Sequence, residues 1–181
     1  MVTHPAYTRD KWRIDQHDHT ATTVVIADSN GRSWNHFQNT IPDSWVVYSF
    51  AGTKLCDCTK LLNDSRDLFV NVQHVLIAVG ANDRTEDSRK TLSALRGLKV
   101  WGERTGKSVF YVGTPIFPQL VQSQREALGF INDEARDIFQ QTFIHLPRPD
   151  ADQLWTWEGD PIHYTHDTAH IIMEHITQYL N

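Results

Sequence analysis

Apolar residues along this chain fall in short runs, separated by longer stretches that mix polar and apolar positions. Five runs read as β-strands: Thr22–Ile26, Trp45–Phe50, His74–Gly80, Ser108–Val112 and Thr142–Leu146. The third, HVLIAVG, is almost uninterrupted, as expected of a central parallel strand buried on both faces. The stretches between them read as helices. Lys54–Phe69 places Leu55, Leu61, Leu62, Leu68 and Phe69 at partly helical spacing. Glu86–Arg104 carries one stripe of Leu92, Leu95, Leu98 and Trp101 and stops at Gly106. Gln119–Gln140 turns Leu128, Ile131, Ala135 and Ile138 inward, and Thr165–Leu180 forms a last helix. Only a short helix or loop with Trp34 and Phe37, closed by Pro42, joins the first two strands.

Strands alternating with helices predict a three-layer α/β/α sandwich around a mainly parallel, five-stranded sheet. The 181 residues suit one domain, expected over residues 22–181. Residues 1–21 read as a solvated polar arm containing His17-Asp18-His19. At 40% hydrophobic and 22% charged residues, the composition is that of a soluble globular protein. A net charge of −5 argues against sequence-independent nucleic-acid binding by this domain. No apolar run approaches the ~20 residues of a membrane span, and the first residues lack an apolar signal core. The expectation is a cytoplasmic protein. Cys56 and Cys58, one residue apart, read as free thiols.

In a parallel sheet the polar turns after the strands gather along one edge, where open α/β folds place their ligands. Ser29 ends the first strand in the turn Ala27-Asp28-Ser29-Asn30-Gly31. Alone, it reads as a helix cap. Gly52 and Asn82 follow the second and third strands, and Asp160 and His163 follow the last by a longer loop. Together they supply what serine hydrolysis needs. Ser29 is the nucleophile, His163 the base, and Asp160 the carboxylate that orients it. The backbone N–H groups of Ser29 and Gly52 and the side-chain amide of Asn82 form the oxyanion hole.

Other polar residues have duller readings beside the chemical ones. Asp28 would hold the Ser29 turn, and Asp83 would cap the helix that follows it. Arg84 would meet an anionic substrate group or a surface carboxylate. His166, His170 and Glu174 share a helix face at metal-ligand spacing, with an exposed polar face as the favoured reading. Trp155 and Trp157 would wall a substrate pocket or pin their loop.

Asp28-Ser29-Asn30, Ala51-Gly52, Gly80-Ala81-Asn82-Asp83 and Asp160-Pro161-Ile162-His163 resemble the four ordered blocks of the SGNH (GDSL-type) hydrolases. The resemblance covers about residues 22–181 and implies a flavodoxin-like fold. It assigns Ser29, Asp160 and His163 to the triad and Ser29, Gly52 and Asn82 to the oxyanion hole. Ala27 departs from the family pattern, standing where a glycine usually precedes the aspartate, and an alanine there resists positive φ. The segment GDPIHYTHDTAHIIMEHITQYLN is similar to the C-terminal region of esterase domains in first-open-reading-frame proteins of LINE-type retrotransposons. That narrower resemblance implies an esterase domain in a protein that assembles around RNA or membranes, with lipid contact left open.

The expected function is hydrolysis of small acyl esters, acetyl esters among them, with no cofactor and no metal. A catalytically inert SGNH-fold binding or assembly module is the alternative. Metal-dependent hydrolysis through the C-terminal histidines and nucleic-acid binding rank below both.

Overall fold

The computed structural model describes residues 14, 18–37, 41–147, 156–160 and 162–180. Among these residues five strands form one sheet: β1 Thr23–Ala27, β2 Trp45–Ser49, β3 His74–Ala78, β4 Ser108–Val112 and β5 Phe143–Ile144. All pair in parallel, in the order β2-β1-β3-β4-β5. Among the described residues four α-helices accompany them: α1 Leu55–Asp64, α2 Ser88–Thr105, α3 Gln122–Phe139 and α4 His166–Leu180. This is the expected three-layer α/β sandwich.

The strand order fixes where a site can form. From β1 the chain crosses to β2 on one side, while β3 lies on the other. Right-handed crossovers then put α1, α2 and α3 on one face and the β1–β2 connection on the opposite face. The packing follows this rule: α2 lies between α1 and α3, and α4 packs on the 3-10 helix Ser29–Phe37 that joins β1 to β2. The loops leaving β1 and β3 therefore diverge and open a crevice between them. Register aligns its rim, because Ala27 sits beside both Ser49 and Ala78.

Burial explains the strand pattern. Val24, Val25 and Ile26 of β1 and Val75, Leu76 and Ile77 of β3 are fully buried, since layers cover both faces. The helices contribute stripes: Leu95, Leu98 and Trp101 from α2, Leu128, Ile131 and Ala135 from α3, and Ile172, Met173 and Ile176 from α4. Asp87 caps α2 by accepting the N–H groups of Arg89 (2.8 Å) and Lys90 (3.4 Å). Gly106 ends that helix at φ +68°.

Several boundaries differ from expectation. The first long helix stops at Asp64, and the Ser65 N–H bonds the Leu61 carbonyl. A separate 3-10 turn, Arg66–Phe69, then inserts Phe69 into the core. This break is why the apolar spacing over Lys54–Phe69 matches one helix only in part. β5 keeps two of the five expected residues: Thr142 belongs to the preceding 3-10 turn, and the pairing with β4 ends at Ile144, before His145 and Leu146. Within the segment read as a solvated arm, Ile14 is buried in the core at 4% exposure. The Asp18 carboxylate accepts the N–H and hydroxyl of Thr20, a local turn. His17, Pro161 and the loop with Trp155 lie outside the described residues, as does the side chain of Phe37. Cys56 is exposed and Cys58 buried, both as free thiols. Among the described residues no helix is long and apolar enough to cross a membrane.

Candidate active site

Ser29 opens the 3-10 helix that follows β1, and the preceding residue anchors it. The Asp28 carboxylate accepts the Asn30 N–H at 2.9 Å, and its carbonyl accepts the Gly31 N–H and the Ser49 hydroxyl. The Asp28 N–H reaches the Ala78 carbonyl at 3.3 Å. Asp28 is thus tied to the ends of both flanking strands, and it holds the Ser29 turn as expected.

The alanine at position 27 is accommodated without strain. Ala27 is the last residue of β1, and Gln140 is the one non-glycine with positive φ among the described residues. Space comes from Gly31 instead. A Cβ there would stand 2.5 Å from the Ala27 methyl and 3.1 Å from Ser49 Cβ. The small residue the turn requires is Gly31.

His163 and Asp160 sit on a clip closed by an antiparallel bridge between Thr156 and Tyr164. Within it, the Trp157 N–H donates to the His163 carbonyl (3.2 Å) and the Asp160 N–H donates to the Trp157 carbonyl (3.0 Å). Gly159 makes the bend at φ +78°. Asp160 Oδ1 accepts the N–H groups of Ile162 and His163, while Oδ2 lies 2.5 Å from His163 Nδ1. Partial burial opposes the Asp160 charge, but these three donors outweigh it and hold the carboxyl below its usual range. His163 Nε2 lies 2.9 Å from Ser29 Oγ. An unbroken line of hydrogen bonds thus runs from the Asp160 carboxylate through the imidazole to the Ser29 hydroxyl.

The other two expected residues lie on the neighbouring loops. Gly52 is exposed at φ +74°, and a Cβ there would touch nothing within 4 Å. Glycine is needed for backbone conformation rather than for room. Thr53 closes this turn by donating its N–H and hydroxyl to the Phe50 carbonyl. Asn82 lies in the 3-10 turn Ala81–Thr85 after β3, and its amide donates to the Thr53 carbonyl at 3.1 Å. One amide hydrogen is used there, which leaves the second for another acceptor. Among the described residues, neither the Ser29 N–H nor the Gly52 N–H has an acceptor.

Several contacts that build this site carry no signal in sequence spacing. Asn30 Oδ1 accepts the Tyr164 N–H at 3.0 Å, fastening the His163 clip to the Ser29 turn. Asn30 stands inside the first motif and Ser49 at the end of β2, and neither residue type at those positions predicts these contacts. Asp83 does not cap the following helix, which Asp87 caps. Its carboxylate oxygens accept the Leu55 N–H, at the start of α1, at 3.3 and 3.1 Å. Arg84 donates to the Ala81 carbonyl within its own turn.

Two acids are strongly perturbed. Burial pushes Asp28 up to about 6, with Asn30, His163 and the Ala81 N–H partly offsetting it. Burial also pushes Asp83 up to about 7, opposed by the Leu55 N–H and Lys54 and reinforced by Glu86 and Asp57. Further along α4, His170 Nδ1 stands 3.6 Å from Glu174 Oε2, and the His166 ring packs edge-on to Trp157. Among the described residues no group of three His, Cys, Asp or Glu side chains is arranged to hold a metal ion.

Solved structures share this architecture. The C-terminal catalytic domain of peptidoglycan O-acetyltransferase A from Streptococcus pneumoniae is similar over 89% of this chain and 93% of its own, at 15% identity and a TM-score of 0.69. The psychrotrophic esterase EstA from Pseudoalteromonas sp. is similar over 88% and 97%, at 16% identity and a TM-score of 0.63. A Slackia heliotrinireducens protein assigned as an SGNH hydrolase matches over 89% and 100%, at 8% identity and a TM-score of 0.62. No family model and no curated protein matches the chain. At such identities the likeness defines the fold alone, which in these three neighbours carries an acetyltransferase domain, an esterase and a protein assigned as an SGNH hydrolase.

Proposed function

We propose that this protein is a serine esterase that hydrolyses small acyl esters through Ser29, His163 and Asp160. The observation that carries the reading is the line of contacts from Asp160 Oδ2 to His163 Nδ1 (2.5 Å) and from His163 Nε2 to Ser29 Oγ (2.9 Å). In this reading Asp160 accepts the Nδ1–H and so leaves a lone pair on Nε2. His163 takes the Ser29 proton as Oγ attacks the ester carbonyl. The carbonyl oxygen becomes an oxyanion held by the N–H groups of Ser29 and Gly52 and by the Asn82 amide. Collapse of the intermediate breaks the ester C–O bond, and His163 passes its proton to the departing alcohol. Water then attacks the acyl-Ser29 ester, giving up a proton to His163, and the second collapse returns that proton to Ser29 and frees the acid.

The short connections that follow β1, β2 and β3 favour small acyl groups. A narrower placement, as the esterase domain of a LINE-type retrotransposon first-open-reading-frame protein, is supported by the resemblance of residues 159–181. Its cytoplasmic setting and any lipid or membrane partner belong to that proposal.

Hydrolysis of p-nitrophenyl acetate by the wild type and by Ser29→Ala, each with and without a chelator, tests the reading. Turnover that disappears in Ser29→Ala and ignores the chelator is expected. A folded wild type that neither turns over the ester nor reacts with a serine-directed phosphonate would favour the inert module. Turnover that survives in Ser29→Ala would overturn the triad.

A further inference from the structure

We infer that Asp83 is a positioning residue for the proposed oxyanion hole: by accepting the first N–H of α1, it sets where the β2–α1 loop holds Gly52 relative to Asn82. The inference rests on the esterase reading.

Two of the three oxyanion donors sit on separate loops, which must keep a fixed separation for both to reach one oxygen. Three polar contacts join these loops. The Asn82 amide donates to the Thr53 carbonyl, Lys54 pairs with Glu86, and the Asp83 carboxylate accepts the Leu55 N–H. They differ in strength. The Lys54 and Glu86 side chains are 35% and 24% exposed, so solvent and salt weaken their pairing. The Asn82 contact comes from the same amide that is proposed to hold the oxyanion. Asp83 is 3% exposed, takes no part in the chemistry, and grips backbone rather than a mobile side chain.

The origin of this contact separates it from an ordinary helix cap. The first N–H groups of a helix lack intrahelical acceptors. Helices usually answer them with a Ser, Thr, Asp or Asn at the N-cap. Here the N-cap is Lys54, whose side chain cannot accept, and Asp57 answers only the Lys54 N–H, at 3.0 Å. The Leu55 N–H is left to an acid 28 residues further on, in the loop that carries Asn82. The positive end of the helix dipole favours the ionised form of this carboxylate, opposing the burial that pushes it up. Gly52 stands three residues before Leu55, joined through the turn that Thr53 closes. A shift of α1 along its axis would therefore move the Gly52 N–H away from the Asn82 amide.

The test compares wild type, Asp83→Ala and Asp83→Asn, with Val109→Ala as a destabilised control at the far end of the sheet. The readouts are kcat and KM for p-nitrophenyl acetate and the inhibition constant of phenylboronic acid, whose tetrahedral adduct on serine uses the oxyanion hole. Asp83→Ala should lower kcat about tenfold to a hundredfold with KM within about twofold, the scale set by displacing a catalytic group by about 1 Å. It should weaken the boronate by a similar factor. Asp83→Asn, whose amide oxygen can still accept the Leu55 N–H, should recover most of both. If Asp83→Ala does not fold, Asp83→Ser takes its place with the same expectations. Wild-type kcat and boronate affinity in the folded Ala or Ser variant overturn the inference, as does an Asn variant damaged as badly as the Ala variant. So does Val109→Ala losing as much kcat as Asp83→Ala. A wild type without Ser29-dependent turnover overturns the esterase reading itself, and this inference with it.

Discussion

Asn30 Oδ1 accepts the backbone N–H of Tyr164 at 3.0 Å across 134 residues of sequence. Asn30 follows Ser29 and Tyr164 follows His163, so one hydrogen bond ties together the two turns that carry the side chains proposed to react. Both partners are buried, and water cannot replace the contact. Asn30→Ala should therefore leave the Tyr164 N–H unpaired and cost about 1–3 kcal/mol of stability. Thermal unfolding checks the first effect, at about 2–4 °C per kcal/mol for a domain of this size. Turnover measured well below the new midpoint should also fall, because the clip carrying His163 loses its anchor beside Ser29.

Asn82→Ala removes the only side-chain donor proposed for the oxyanion hole. Turnover of p-nitrophenyl acetate should drop by about 10²–10³-fold, with KM changed far less. A near-normal kcat would remove Asn82 from the site.

Gly31→Ala tests the packing under the turn that carries the proposed nucleophile, Ser29. The added methyl would meet Ala27 Cβ at 2.5 Å and Ser49 Cβ at 3.1 Å, and neither neighbour can rotate away. The expected loss is about 1–3 kcal/mol, the range for overpacking a filled interior. Denaturant titration measures it. Combining Gly31→Ala with Ala27→Gly, which removes the nearer methyl, should recover part of that loss.

The buried carboxyl of Asp28 links stability to pH. Its folded-state value of about 6 lies above the ~3.9 of an unfolded aspartate. Between those values the folded protein keeps a proton that the unfolded chain has released. The contribution to stability is therefore complete below about pH 4 and lost as pH rises through about 6. Asp28→Asn cannot ionise, so its stability relative to wild type should increase from pH 4 to pH 7. Urea unfolding of both proteins at the two pH values checks the sign; a difference that stays constant would show that burial does not raise Asp28.

Much of the architecture was legible in the hydrophobic pattern. The run His74–Gly80 announces a strand covered on both faces, and Leu95, Leu98 and Trp101 announce the buried stripe of α2. Boundaries were less legible where side chains compete locally. Ser65 ends α1 early, and the buried Phe69 belongs to a separate turn, although Leu68 and Phe69 extend an apolar pattern. The burial of Ile14 leaves no mark in the pattern, because one apolar residue in a polar segment has no periodicity to reveal it. The roles of Ala27 and Gly31 were also hidden, since each depends on the other's Cβ and on Ser49 from the adjacent strand.

What the sequence by itself determined is local: the order of strands and helices, and which residue types stand at the strand ends where chemistry is possible. Ser29, Gly52, Asn82, Asp160 and His163 could be picked out because turns and motifs are written in neighbouring residues. What only the tertiary structure decided is which distant groups meet: Asn30 with Tyr164, Asn82 with Thr53, and Asp83 with the first N–H of α1. Those contacts depend on strand order and register, which are set by the packing of the whole core. A carboxylate that accepts a backbone N–H 28 residues away leaves no mark in local spacing, because any residue type can offer that N–H except proline.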